Sequence, residues 1–158
     1  MHLAKLQADL REFIRLLNSH GVEYLVVGGH AVAFHGHPRF TGDIDFFVRT
    51  TPPNAQRLLA VLNEFGFGSV GITERDFTEP GRVVQLGRPP NQIDILTSIS
   101  GVDFDSAWQS RIESVMDEQP AMIIGQKELL RNKKAAGRQK DLADVGKLLA
   151  VAKRKDGD

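Results

Sequence analysis

The stretch Gly42-Asp43-Ile44-Asp45-Phe46-Phe47-Val48 decides how this chain is read. It ends as an apolar strand, with the strand reading running from Ile44 to Val48, yet it carries two aspartates, a residue type disfavoured in strands. Alternate residues of a strand face the same way. Asp43 and Asp45 therefore share one face, and Ile44 turns to the other, toward a core. The same grammar returns at Ile93-Asp94-Ile95, a lone carboxylate inside a second apolar strand. Three carboxylates on adjacent strands repel and raise one another's pKa. A divalent cation reverses that cost, and magnesium favours carboxylate and phosphate oxygens. Two such ions about 3.5–4 Å apart would activate an attacking hydroxyl and hold the leaving phosphates. Taken singly, each aspartate has a plainer use. Asp43 can close a turn after Gly42, Asp45 can sit at a solvated strand edge, and Asp94 can pair with an arginine.

Upstream, Tyr24-Leu25-Val26-Val27 reads as a buried strand that runs into Gly28-Gly29 and then a short helix over 30–36. Glycine lets a phosphate approach the backbone, and free N–H groups at a helix start attract anions. The helical spacing of Leu3, Leu6, Leu10, Phe13, Leu16 and Leu17 predicts a helix over 3–18. Thr51 as cap and Pro52 at the first helical position open a helix that reaches about Phe65 and stops at Gly66. Val70 and Ile72 suggest a short strand. Residues 82–86 and 92–96 read as a hairpin around Gly87-Arg88-Pro89-Pro90-Asn91. Asp103 caps a helix through Trp108, and 121–124 form a short strand or extended link. Helices over 126–136 and 138–153 part near Gly137, and 154–158 form a frayed tail. The expected fold is α+β (α/β-like), a mixed β-sheet flanked by helices with C-terminal helices. The expected organisation is a single domain over 1–153, with a core over 22–124 and C-terminal helices over 125–153.

Composition narrows the chemistry. With no cysteine among 158 residues, disulfides, cysteine zinc sites, iron–sulfur clusters and a thiol nucleophile are excluded. The N-terminal stretch has no signal-peptide pattern and no apolar run reaches 18 residues, so a cytoplasmic protein without a membrane partner is expected. The 20 basic and 20 acidic side chains balance, but unevenly along the chain. Residues 1–124 hold 10 basic and 15 acidic side chains, and residues 125–158 hold 10 and 5. This is not a general nucleic-acid coat, nor is there a DNA-specific motif. It suits either a basic segment folded over an acidic site or a solvated C-terminal helix.

Gly28-Gly29, Asp43-Ile44-Asp45 and Ile93-Asp94-Ile95 together resemble the polymerase-beta-like nucleotidyltransferase superfamily, closest to its minimal branch of AbiEii-type toxins and stand-alone nucleotidyltransferases. That branch is also resembled in Arg39-Phe40-Thr41-Gly42-Asp43-Ile44-Asp45 and in Arg138-Gln139-Lys140-Asp141-Leu142-Ala143-Asp144. The resemblance implies Asp43, Asp45 and Asp94 as metal ligands and catalytic acids, with Asp94 as third ligand or base. It implies Gly28 and Gly29 as a phosphate cradle and Mg²⁺ or Mn²⁺, two ions, as cofactor. The implied reaction is attack of a hydroxyl acceptor, on RNA, protein or a small molecule, on the α-phosphorus of an NTP with release of pyrophosphate. A toxin–antitoxin or defence setting, a protein partner or a homodimer would follow from the same likeness. The alternative is a non-catalytic NTP-binding or structural partner module on this fold.

The remaining candidates have two uses each. Arg39 can clamp phosphate in a bidentate way or bridge to Asp43 or Asp94. Thr41 is expected to hold its loop. Lys140 can reach a triphosphate with Asp144 holding it, Asp141 and Arg138 supporting, or these can be surface pairs. Lys133 and Lys134 are expected to face solvent or an RNA backbone. His30, His35 and His37 are expected to be structural, since a zinc site needs three or four converging ligands.

Overall fold

The computed structural model describes residues 2–36, 42–68, 70–89, 91–116 and 118–157, with the side chains of 2–7 and 155–157 left aside. Helix α1 (His2–Ser19) leads into strand β1 (Tyr24–Val27), helix α2 (Gly28–Phe34) and strand β2 (Asp43–Val48). Helices α3 (Pro52–Phe65) and α4 (Arg75–Thr78) follow, then the strands β3 (Val83–Leu86) and β4 (Gln92–Leu96). The chain continues through helix α5 (Phe104–Gln109), strands β5 (Ile112–Met116) and β6 (Gln119–Ile123), and helices α6 (Gln126–Ala136) and α7 (Gln139–Gly157).

The strands form a six-stranded sheet in the order β3-β4-β2-β1-β6-β5. It is mixed: β1–β2, β3–β4 and β5–β6 are antiparallel, whereas β2–β4 and β1–β6 are parallel. The fold is thus the mixed, helix-flanked sheet with C-terminal helices that the sequence predicts.

Register sorts the side chains. Phe46 lies beside Val26 and Ile95, and on this face its ring meets Phe13 of α1 at 5.4 Å and Tyr24 at 5.6 Å. Phe13 also meets Phe65 of α3 at 5.1 Å, so α1 and α3 cover this side. The alternate residues Asp43, Asp45 and Phe47 face the other way, where the ring of Phe47 meets Phe104 of α5 at 5.2 Å. Burial of Phe13, Ile14, Tyr24, Phe46, Leu58 and Ile95 anchors the first face, and each fully buried large apolar side chain contributes about 1.5–3 kcal/mol.

Local chemistry accounts for most element ends. Pro52 opens α3, and Gly66 closes it with a left-handed φ of 101°. Thr51 occupies the cap position but gives no side-chain cap bond. Asp103 caps α5 as expected, its carboxylate accepting from the Ser106 N–H at 3.0 Å. Two expectations need correction, and one strand, β5, was not read from the sequence. Val70 and Ile72 belong to no strand: Val70 is exposed, and the segment turns instead into α4, pinned by the fully buried Phe77. A one-turn helix is too short to show a period in sequence. The short strand at 121–124 is half of a hairpin with β5, an edge strand whose residues are mostly exposed and show no alternation. Helix α7 runs on to Gly157, through residues read as a tail. Among the described residues no helix is long and apolar enough to cross a membrane.

Candidate active site

The parallel pairing of β2 with β4 sets Asp45 directly beside Asp94, and Asp43 beside Gln92. Two like charges thus share one face of the sheet at its centre. Burial, then the charge of Asp94, a hydrogen bond with Asp94 and the charge of Asp43 push the Asp45 carboxyl up to about 6, against a partial pull downward from Lys133. In its protonated form Asp45 donates to Asp94, which also accepts from Gln92 Nε2 at 2.8 Å. Among the described residues the partners of Asp94 are thus a glutamine and an aspartate, and the Arg39 pairing considered from sequence lies outside them.

Beside this pair, β1 runs straight into α2. Gly28 and Gly29 form the first helical turn, which starts two residues earlier than the sequence predicts. Gly28 takes a φ of +68°, and a Cβ placed there would land on the Asp45 carboxylate. Glycine is therefore required twice over, for backbone conformation and for contact with the acid. The N–H groups of a first helical turn lack intrahelical acceptors and so are open to an anion.

A cleft of about 660 Å³ opens over these groups. The sheet and the start of α2 contribute Gly28, Gly29, Asp43, Asp45 and Asp94, its acidic end, and the α6–α7 segment contributes Lys133, Arg138, Lys140 and Asp141, its cationic end. Val83, Leu96, Ser98, Ile99, Ser100 and Asn132 complete the walls. The C-terminal basic segment does lie over the acidic site. Arg39, Thr41 and His37 lie outside the described residues.

The cationic end departs from the sequence reading. Lys133 is not solvent-facing: its side chain is 7% exposed, and Nζ lies 3.3 Å from Asp141 and 3.2 Å from Asp144. Asp144 is itself buried and faces Lys133, whereas Lys140 is exposed. Asp141 is fully buried and accepts from Arg138 Nε at 2.6 Å and from the Arg138 backbone N–H at 3.3 Å, which ties down the start of α7. Burial raises the Asp141 carboxyl, but the hydrogen bonds from Arg138 and Lys133 outweigh it and hold the group below the ordinary carboxylate range. Lys133 was missed because its partners lie eight and eleven residues onward, across a left-handed Gly137. The only trace in sequence is a basic helix end followed by the Asp141/Asp144 spacing.

The histidines behave structurally where described. His35 Nε2 donates to the Ile124 carbonyl at 2.7 Å, and burial holds His30 below its ordinary pKa. Among the described residues no three His, Cys, Asp or Glu side chains stand close enough to hold a metal ion as they are. The donor chemistry of the acidic end still suits a hard divalent cation. Among the described residues its side-chain donors are carboxylate oxygens, and burial and the neighbouring carboxylates raise the Asp45 carboxyl, a cost that a cation would relieve.

The family described as "Nucleotidyl transferase of unknown function (DUF2204)" matches residues 6–157. The chain belongs to this family. The match supports nucleotidyltransferase-like membership without singling out the AbiEii-type branch. Among solved structures the chain is similar to the "antigenic nucleotidyltransferase-like protein from Paracoccidioides brasiliensis", with a TM-score of 0.54 and 20% identity. The likeness covers 92% of this chain and 74% of that one, and at this identity it speaks for the fold alone. No curated protein matches the chain. Within this nucleotidyl transferase family the cleft is the natural place to seek the chemistry, because it joins an acidic sheet centre to a cationic helix pair.

Proposed function

We propose that this chain transfers a nucleoside monophosphate from an NTP to a hydroxyl acceptor. The observation that carries the reading is the Asp45–Asp94 register, which holds two carboxyls together against Gly28 at the acidic end of the cleft. Such an arrangement is costly for stability alone and is typical of groups kept for chemistry. In the reaction the acceptor oxygen forms a bond to the α-phosphorus, and the bond from that phosphorus to the bridging oxygen of the β-phosphate breaks. Pyrophosphate leaves with that electron pair, and the acceptor proton passes to Asp94 as base. The backbone N–H groups of Gly28 and Gly29 receive phosphate oxygens. Lys140 and Arg138 line the mouth of the cleft, where they attract the polyphosphate. Asp43, Asp45 and Asp94 would hold Mg²⁺ or Mn²⁺, as two ions, which would supply charge neutralisation and a more acidic acceptor hydroxyl.

The acceptor is a hydroxyl of RNA, protein or a small molecule. A toxin–antitoxin setting rests on the Arg39–Asp45 and Arg138–Asp144 strings alone, and the proposed chemistry stands without it. The test offers purified protein each of the four α-labelled NTPs with Mg²⁺ or Mn²⁺ and total cellular RNA and protein. Label on one macromolecule, lost in the double variant Asp43→Ala/Asp45→Ala, is the expected result and names the acceptor class. Metal-dependent NTP binding with no label on any acceptor, small molecules included, would instead favour a binding module without turnover.

A further inference from the structure

We propose that Lys133 is the fixed cation that receives the polyphosphate of the nucleotide, with Asp141 and Asp144 acting as the positioning residues that aim it. This rests on the nucleotidyl-transfer reading and assigns to that site a residue which neither the Asp-x-Asp string nor the Arg138–Asp144 string contains.

Three observations support it. First, Lys133 lines the cleft that also holds Gly28, Gly29 and the acidic trio, although its side chain is 7% exposed. A lysine is seldom buried to this extent unless paired. Second, its pairing is incomplete. An ammonium has three donors; the Asp141 carboxylate accepts one at 3.3 Å, and the Asp144 carboxylate is an ion-pair partner at 3.2 Å. Among the described residues Lys133 has no further partner, so an anion in the cleft can take a remaining donor. Third, Lys133 sits on α6, which packs against α2, the helix that opens with Gly28 and Gly29, so the cation and the glycine turn border the same space.

Lys140 makes the contrast. It lines the same cleft but is exposed, so its long side chain surrenders rotamer freedom on binding a phosphate. Lys133 has already been immobilised by folding, and in a partly dry setting each of its hydrogen bonds to an anion is stronger. Lys133 and Arg138 balance Asp141 and Asp144 in charge, so the cluster is stable before any ligand arrives. A bland clamp joining α6 to α7 would show the same salt bridges, and the test must separate the two.

The probe is inorganic tripolyphosphate, measured by calorimetry on the full chain, with and without Mg²⁺. Because Lys133→Gln alone leaves buried carboxylates uncompensated, the decisive variant is Lys133→Gln/Asp144→Asn, which keeps the charge balance. Circular dichroism and thermal melting confirm that it folds. We expect its affinity for tripolyphosphate to fall at least about tenfold, as for loss of one charge-assisted hydrogen bond. Lys140→Gln, which removes an exposed cation from the mouth of the cleft, should weaken binding less than the double variant does. Lys133→Arg, which keeps the charge but not the geometry, should recover part of the loss. Undiminished binding by the folded double variant overturns the proposal, as does a larger loss in Lys140→Gln, or a parent chain that does not bind the probe. Lys133-dependent binding without any nucleotidyl transfer would retain the phosphate site and sink the transferase reading instead.

Discussion

The acid pair at the sheet centre should make this protein less stable than it needs to be. Asp45 carries the clearest signature, because its carboxyl is moved from the ordinary 3.8 to about 6 by burial and by Asp94. A carboxyl raised in the folded state binds its proton more tightly there than in the unfolded chain. Stability from this group is therefore complete below pH about 4 and falls as pH rises through the window to about 6. A rise of roughly two pH units, at about 1.4 kcal/mol each, sets an upper bound of about 3 kcal/mol lost by neutral pH. Asp45→Asn is uncharged throughout and escapes the loss. In metal-free buffer its melting temperature should equal that of the parent chain near pH 4. Above pH 6 it should exceed the parent by several degrees, up to about 6–12 °C for a chain of this size. The same substitution should abolish nucleotidyl transfer. Differential scanning calorimetry at half-unit pH steps in the presence of a chelator measures the gap. A gap independent of pH, or an Asp45→Asn variant less stable than the parent at pH 7.5, would refute the electrostatic account. Added Mg²⁺ should raise the melting temperature of the parent and narrow the gap, since a cation answers the same repulsion.

Two further changes probe the supports of the site. Gly28→Ala forces a Cβ onto the Asp45 carboxylate at a φ of +68°; it should cost about 1–3 kcal/mol in urea unfolding and remove label transfer. Asn54, 1% exposed, accepts from the Glu23 N–H at 2.8 Å and donates to the Arg49 and Glu23 carbonyls at 2.8 and 3.1 Å. Asn54→Ala strands the Glu23 N–H and the Arg49 carbonyl, while the Glu23 carbonyl keeps the Arg49 N–H at 3.3 Å; it should lower unfolding free energy by about 2–4 kcal/mol, measured by urea titration, with transfer reduced only through folded fraction.

What could be read from sequence follows from the range of each interaction. The ends of α3 depend on Pro52 and Gly66, which act within their own turns, and both were legible. The face shared by Asp43 and Asp45 follows from strand alternation alone. That Asp94 would lie beside Asp45 rather than one register away needed β4 to pair parallel with β2, a tertiary choice that the isoleucines around it only suggest. α4 depends on one buried Phe77, and β5 depends on having β6 as neighbour, so neither leaves a period in its own residues. Lys133 illustrates the limit most clearly. A lysine in the last turn of a basic helix looks solvated, and only the fold of α7 back onto α6 brings Asp141 and Asp144 to it.

The order in which the cleft residues occur along the chain has a consequence for synthesis. All three aspartates have been translated by residue 94, whereas the cations that face them begin at Lys133. A nascent chain can therefore build the sheet centre and its acid pair well before the opposite wall exists. During that interval the repulsion between Asp45 and Asp94 has no answering lysine, and the half-built cleft is open to water on its acidic side. Helices α6 and α7 then arrive as a single electrostatic closure, with the Gly137 bend folding α7 onto α6 and α6 packing against α2. Premature chain release before this segment should leave an acid-lined, loosely held intermediate of the kind that chaperones and proteases find first.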